Sequence, residues 1–130
     1  MSNERTRLEL LCPARDLECG LAAINHGADA VYIGAPKFGA RAAAGNPLED
    51  IAKLISYAHK YWARVYITLN TILYDSELEE TRSIIHEVYD AGADALIIQH
   101  MGLLELGLPP IPLFASTQTH NYEIARIQFL

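Results

Sequence analysis

The chain contains one phrase written nearly twice. His26 to Ala35 reads HGADAVYIGA, and Ala91 to His100 reads AGADALIIQH. In each copy a glycine stands where a helix stops, a short turn follows, and an apolar, β-branched run begins. A helix stop followed at a fixed offset by a strand start is the signature of a βα repeat. In folds built from such repeats, functional groups collect at the C-terminal ends of the strands.

The spacing of apolar residues predicts the other elements. A first strand runs from Leu8 to Cys12 and ends at Pro13. Asp16 caps a helix from Leu17 to Asn25, which Gly27 closes. A second strand is Ala30 to Gly34. A loop rich in Gly, Ala and basic residues reaches Asn46, where Asn46-Pro47 forms an N-cap and first-turn pair. The next helix covers Leu48 to Trp62, with Leu48, Ile51, Ile55, Ala58 and Trp62 on its buried face. The third strand is Arg64 to Leu69. Ser76-x-x-Glu79 reads as a capping box opening a helix to Asp90, with Leu78, Ile85, Val88 and Tyr89 as its stripe. The fourth strand is Ala95 to Gln99, followed by a helical turn over Met101 to Leu106. The fifth strand is Leu113 to Ser116, and a last helix begins near Asn121.

Strands two to four are apolar on nearly every residue, as parallel strands covered on both faces are. Alternating strands and helices with short loops imply right-handed βαβ units in one α/β domain spanning residues 1–130. Two architectures fit. One is the N-terminal portion, about five βα strands, of a TIM-type (β/α)8 barrel. The other is a complete five-stranded doubly wound parallel sheet. The last residues, IARIQFL, carry no glycine stop, which favours the barrel portion.

Of the 130 residues, 51% are hydrophobic and 20% charged, and the net charge is −6. Such a balance gives no global basic footprint for nucleic acid, so RNA would have to meet a local patch. Lys37, Arg41 and Arg15 offer one. No apolar run approaches a membrane span and no leader is evident at the start, so a cytoplasmic location is expected. Cys12 and Cys19 have no metal-ligand or redox spacing and read as reduced thiols near the core.

Every strand delivers polar groups to one rim. The candidates for binding substrate are Asp16 and Glu18 after strand one, Arg41 after strand two, Asn70 after strand three, Gln99 after strand four and Gln118 after strand five. Arg41 sits in a Gly/Ala loop with no helix face to claim it, and a guanidinium suits a phosphate or carboxylate. Three amides at successive strand ends suit a polar ligand, or the strand-end backbone groups. Cys12 and His100 are weaker candidates as a thiol–imidazole pair across the mouth. No metal site is expected. His59 and His86, on helices, read as solvated. No phosphate loop, zinc-protease helix or nucleophile elbow occurs, so no motif names a reaction.

Together ELLCPARDLE, GADAVYIG, FGARAAAGN, VYITLNT, ALIIQ and ASTQ resemble the N-terminal part of the peptidase U32 family, the collagenase-like peptidases. The resemblance runs through the chain in the family's order and departs from it at Cys12, Arg15 and His100. It implies a barrel of which this chain is about the first third, and a protease name without an agreed catalytic set. It also implies relatives that hydroxylate a tRNA uridine, an rRNA cytidine or a ubiquinone precursor. Several of these hold an iron–sulfur cluster through four later cysteines. None of those cysteines lies here, so no cofactor is expected in this chain. The implied partners are RNA or a small anionic organic acid, with oligomers through open sheet edges. The other reading is a binding module that is inactive without the rest of the barrel.

Overall fold

Pairing between neighbouring strands fixes the architecture. The structure is a computed structural model that describes residues 8–39 and 45–130. Five strands, β1 (Leu11–Ala14), β2 (Ala30–Gly34), β3 (Arg64–Leu69), β4 (Ala95–Ile98) and β5 (Leu113–Ala115), form one sheet in the order β1-β2-β3-β4-β5. All four pairings are parallel. A doubly wound sheet reverses its strand order at a switch point. Here each crossover steps in the same direction. Right-handed crossovers that never reverse keep the helices on one face and curl the sheet into part of a barrel. The doubly wound alternative is therefore set aside by the strand order.

Helices α1 (Leu17–Asn25), α2 (Leu48–Lys60) and α3 (Leu78–Asp90) cover the outer face. There Val31, Ile33, Val65, Ile67, Leu69, Leu96 and Ile98 meet Ile24, Ile51, Leu54, Ile55, Ile84, Ile85 and Val88 in the main core. A second cluster, Ala30, Tyr66 and Ala95 with Tyr32 and Ile97, lies on the inner face. Alternate strand residues point to opposite faces, so the two clusters are the two sides of one sheet.

The repeated phrase has a repeated structure. Gly27 and Gly92 take φ of 98° and 97°, a left-handed conformation that glycine adopts without steric cost. Asp29 accepts from Leu10 N–H at 2.8 Å through its carboxylate, and its own N–H donates to Leu10 O at 2.9 Å. Asp94 does the same with Val65, at 2.8 Å and 2.9 Å. Each aspartate thus pins its strand to the start of the preceding one.

Several boundaries differ from the sequence reading. β1 begins at Leu11 and includes Pro13, which was read as its stop. Proline has no N–H to give the ladder, yet Pro13 keeps its place in the register opposite Tyr32. α2 ends at Lys60, and Trp62 is 94% exposed rather than buried. Its φ of 61° takes the chain out of the helix before the apolar stripe reaches it. Asn46 makes no cap; Pro47 occupies that position without a side-chain bond. The capping carboxylate before α3 is Glu77, accepting from Tyr74 N–H at 2.8 Å, two residues earlier than Ser76 and Glu79 imply. This places a 3₁₀ turn, Asp75–Glu77, ahead of the helix. α3 buries Thr81 and Ile84 beside Ile85 and Val88, while Leu78 and Tyr89 are half-buried. β4 and β5 each end one residue earlier than expected, and the last helix, α4, covers Ile124–Phe129.

Candidate functional site

The inner face of the sheet lines an open cavity of about 760 Å³. Its floor follows from strand register. Pro13 pairs with Tyr32, Tyr32 with Tyr66, and Tyr66 with Ala95 in one row. Gly34, Thr68, Ile97 and Phe114 form the next row toward the strand C-termini. Tyr66 is held on two sides. Its ring meets Phe114 edge-on at 5.4 Å, and its hydroxyl donates to Glu9 at 2.8 Å. Burial, and then the Glu9 carboxylate, push the phenol pKa above its ordinary value, so it stays a donor.

Polar groups crown the C-terminal ends of the strands. Asn46, Asn70, Ser116, Thr117 and Gln118 all line the cavity, as does Thr68 below them. Asn46 is buried, and its amide donates to Gly34 O at 3.2 Å, tying the loop after β2 to the end of that strand. Thr71 donates to Phe38 O at 3.0 Å and ties the next loop to the same place. Ser116 accepts from Gln118 N–H at 3.1 Å, so the turn after β5 closes on itself.

The sequence-derived candidates separate on this geometry. Asn70 and Gln118 line the cavity. Gln99 lies beside it and donates from Nε2 to Gln118 O at 3.2 Å, holding the β5 turn in place. Asp16 is a helix cap: it accepts from Cys19 N–H at 2.9 Å and from Arg15 at 2.8 Å. Those bonds hold its carboxyl at about 2, the Cys19 backbone bond being the largest cause. Glu18 is exposed in the first turn of α1. Arg41 lies outside the described residues.

Cys12 packs against the outer core, while its neighbours Leu11 and Pro13 line the cavity. His100 accepts from Leu73 N–H at Nδ1, at 3.4 Å. The thiol and imidazole each have a local role, and neither lines the cavity. The basic patch is also partly spent: Lys37 pairs with Glu80 at 2.5 Å, and Arg15 with Asp16. His59 is not merely solvated, since its Nε2 meets Asp94 at 2.9 Å.

Sequence reasoning did not select Asn46, Thr68, Ser116 or Tyr66 as site residues. Asn46 was explained away by the proline after it. Thr68 and Tyr66 fall inside an apolar strand, where only a count of alternate residues separates the two faces.

Comparison with known proteins agrees with this architecture. The model of peptidase family U32 matches residues 15–130. The chain belongs to peptidase family U32. It is 56% identical over 124 residues to the 23S rRNA 5-hydroxycytidine C2501 synthase of Escherichia coli K12, covering 95% of this chain and 19% of that protein. It is 38% identical over 119 residues to tRNA hydroxylation protein P of Helicobacter pylori 26695, covering 88% of this chain and 28% of that protein. A solved U32 peptidase structure superposes with a TM-score of 0.69 at 10% identity, over 92% of this chain and 52% of that one, a likeness of fold. The chain thus spans about a fifth to a third of the curated relatives it matches.

An iron–sulfur cluster does not fit the cysteines present. Cys12 and Cys19 are half-buried, one on β1 and one on α1, and among the described residues no group of three His, Cys, Asp or Glu side chains can hold a metal ion. No helix among the described residues is long and apolar enough to cross a membrane.

Proposed function

We propose that this chain forms the substrate-binding wall of a cytoplasmic RNA-modifying protein that hydroxylates a pyrimidine base of ribosomal RNA. The observation that carries the reading is the character of the cavity. Its C-terminal end presents amides and hydroxyls, Asn46, Thr68, Asn70, Ser116 and Gln118, with Arg15 beside them, above an aromatic floor of Tyr32, Tyr66 and Phe114. Amides both donate and accept, which is what the edge of a pyrimidine or the oxygens of a small organic acid require. Identity to an rRNA hydroxycytidine synthase over nearly all of the chain supports rRNA over tRNA as the target. Hydroxylation replaces a ring C–H by C–OH and needs an oxygen donor. The amide set would hold that donor or the base in register, with Arg41 as the counter-charge if the donor is an acid.

Peptide hydrolysis is the weaker reading. Ser116 accepts Gln118 N–H at its oxygen, and among the described residues no histidine lines the cavity. A nucleophile–base pair is what acyl transfer requires. Nucleoside mass spectrometry on rRNA and tRNA from a strain lacking the gene tests the proposal. Loss of one hydroxylated pyrimidine from rRNA, restored by the intact gene, is the expected result. An unchanged nucleoside profile overturns it.

A further inference from the structure

Two side chains of the cavity wall spend their hydrogens on the end of β2. Asn46 donates from Nδ2 to Gly34 O at 3.2 Å, and Thr68 donates from Oγ1 to Ile33 O at 3.4 Å. Gly34 and Thr68 are partners in the register, and Ala35 N–H donates to Thr68 O at 3.1 Å, so the two groups are neighbours. Both line the cavity, yet Asn46 is only 8% exposed and Thr68 9%. Their donors fix how they point. An amide whose nitrogen is tied to a carbonyl turns its oxygen the other way. Among the described residues Asn46 makes no other hydrogen bond, and no fully enclosed side-chain oxygen lacks a partner, so Oδ1 opens into the cavity. A hydroxyl that donates to the strand likewise leaves its lone pairs to the cavity. Gly39, also on the wall, keeps the space before them clear: a Cβ there would lie 3.8 Å from Thr68 Oγ1. β2 and β3 are flanked by β1 and β4, so neither group owes its setting to a sheet edge.

We infer that Asn46, with Thr68 beside it, is the specificity-determining acceptor of the cavity and selects cytosine over uracil. This rests on the pyrimidine reading above and names which base enters. Two neighbouring acceptors suit an amino group, which brings two hydrogens. Cytosine carries one at C4, where uracil carries a carbonyl oxygen. Uracil turned to offer its ring N–H to one acceptor sets an oxygen against the other. A buried acceptor facing an oxygen loses its water and gains no partner, which is how a polar site rejects an analogue that lacks the donor. The same acceptors repel a carboxylate or a phosphate, so this part of the wall is for the base rather than for an acid.

The test is titration of cytidine and of uridine into the full-length protein, followed by ligand-observed NMR. The wild type should bind cytidine about tenfold tighter than uridine. Asn46→Ala should erase most of that preference by weakening cytidine while leaving uridine unchanged. Thr68→Val, which keeps the shape of the side chain, should lower the preference about threefold. Thermal unfolding checks that both variants fold; if Asn46→Ala does not, the wild-type ratio and Thr68→Val decide. Equal binding of the two nucleosides by the wild type, equal weakening of both by a folded variant, or no binding of either overturns the inference. No preference between the nucleosides, while the gene deletion still removes the modified nucleoside, leaves the hydroxylation reading standing. A cytidine preference lost in Asn46→Ala, with an unchanged nucleoside profile in the deletion strain, sinks that reading and leaves the cytosine site.

Discussion

Asp94 and Val65 exchange two hydrogen bonds: the Asp94 carboxylate accepts from Val65 N–H at 2.8 Å, and Asp94 N–H returns one to Val65 O at 2.9 Å. His59 adds a third contact to the same carboxylate oxygen at 2.9 Å. The arrangement recurs between Asp29 and Leu10 at the edge of the sheet. A carboxylate aimed at a strand-start N–H fixes the strand's register before its own ladder begins. Asp94→Ala leaves Val65 N–H without that acceptor and should cost about 1–2 kcal/mol. Asp29→Ala should cost less, because Leu10 is exposed to water. Urea unfolding of the two variants checks the order.

Gly27 and Gly92 share a backbone conformation but not a neighbourhood. A Cβ at Gly27 would meet nothing within 4 Å, whereas one at Gly92 would lie 3.3 Å from Ile55, which is buried. Gly27→Ala should therefore cost the left-handed strain alone, roughly 1–2 kcal/mol. Gly92→Ala should cost more, since Ile55 must also give way. Equal losses in thermal unfolding would contradict the contact at Ile55.

Trp62 is a large apolar residue in a left-handed position with almost no burial. Trp62→Gly should be neutral or stabilise by about 1 kcal/mol, because it relieves strain and removes no packing. Thermal unfolding decides; a marked loss would place the indole against the core after all.

The Asp16 carboxyl, held at about 2 chiefly by Cys19 N–H and then by Arg15, belongs to the start of α1. Its pKa is lowered on folding. Its contribution is therefore fully present above the ordinary carboxylate range and is lost as pH falls through about 2. The Cys19 amide proton should titrate with that midpoint in an NMR pH series. A midpoint near 4 would mean that the cap bond is absent.

The doubled GAD phrase made the fold legible. It marked two helix stops and two strand starts, and the glycine torsions agree at both. The strands were readable because each is apolar for its full length, and strand order then decided between barrel and doubly wound sheet. Ends were less legible. Proline reads as a strand stop, and only the pairing with Tyr32 shows Pro13 inside β1. Helical periodicity puts Trp62 on the buried face but does not say where the helix stops. That Asn70 and Gln118 line the cavity is legible from position alone, since strand ends face one rim. Asp16 was ambiguous for the same reason: a cap and a ligand use the same carboxylate. Tyr66 and Thr68 were missed because both faces of a parallel strand are apolar enough to read as core.

On the proposed reading, the amide-crowned cavity on the inner face holds the substrate. The most direct test complements a gene-deletion strain with Asn70→Ala or Gln118→Ala in the full-length protein and measures hydroxylated pyrimidine in rRNA by mass spectrometry. Both side chains line the cavity, and neither belongs to the apolar core. Each variant should accumulate as folded protein yet leave the modified nucleoside at least about tenfold below the wild-type level. Full restoration of the nucleoside by both variants would contradict it.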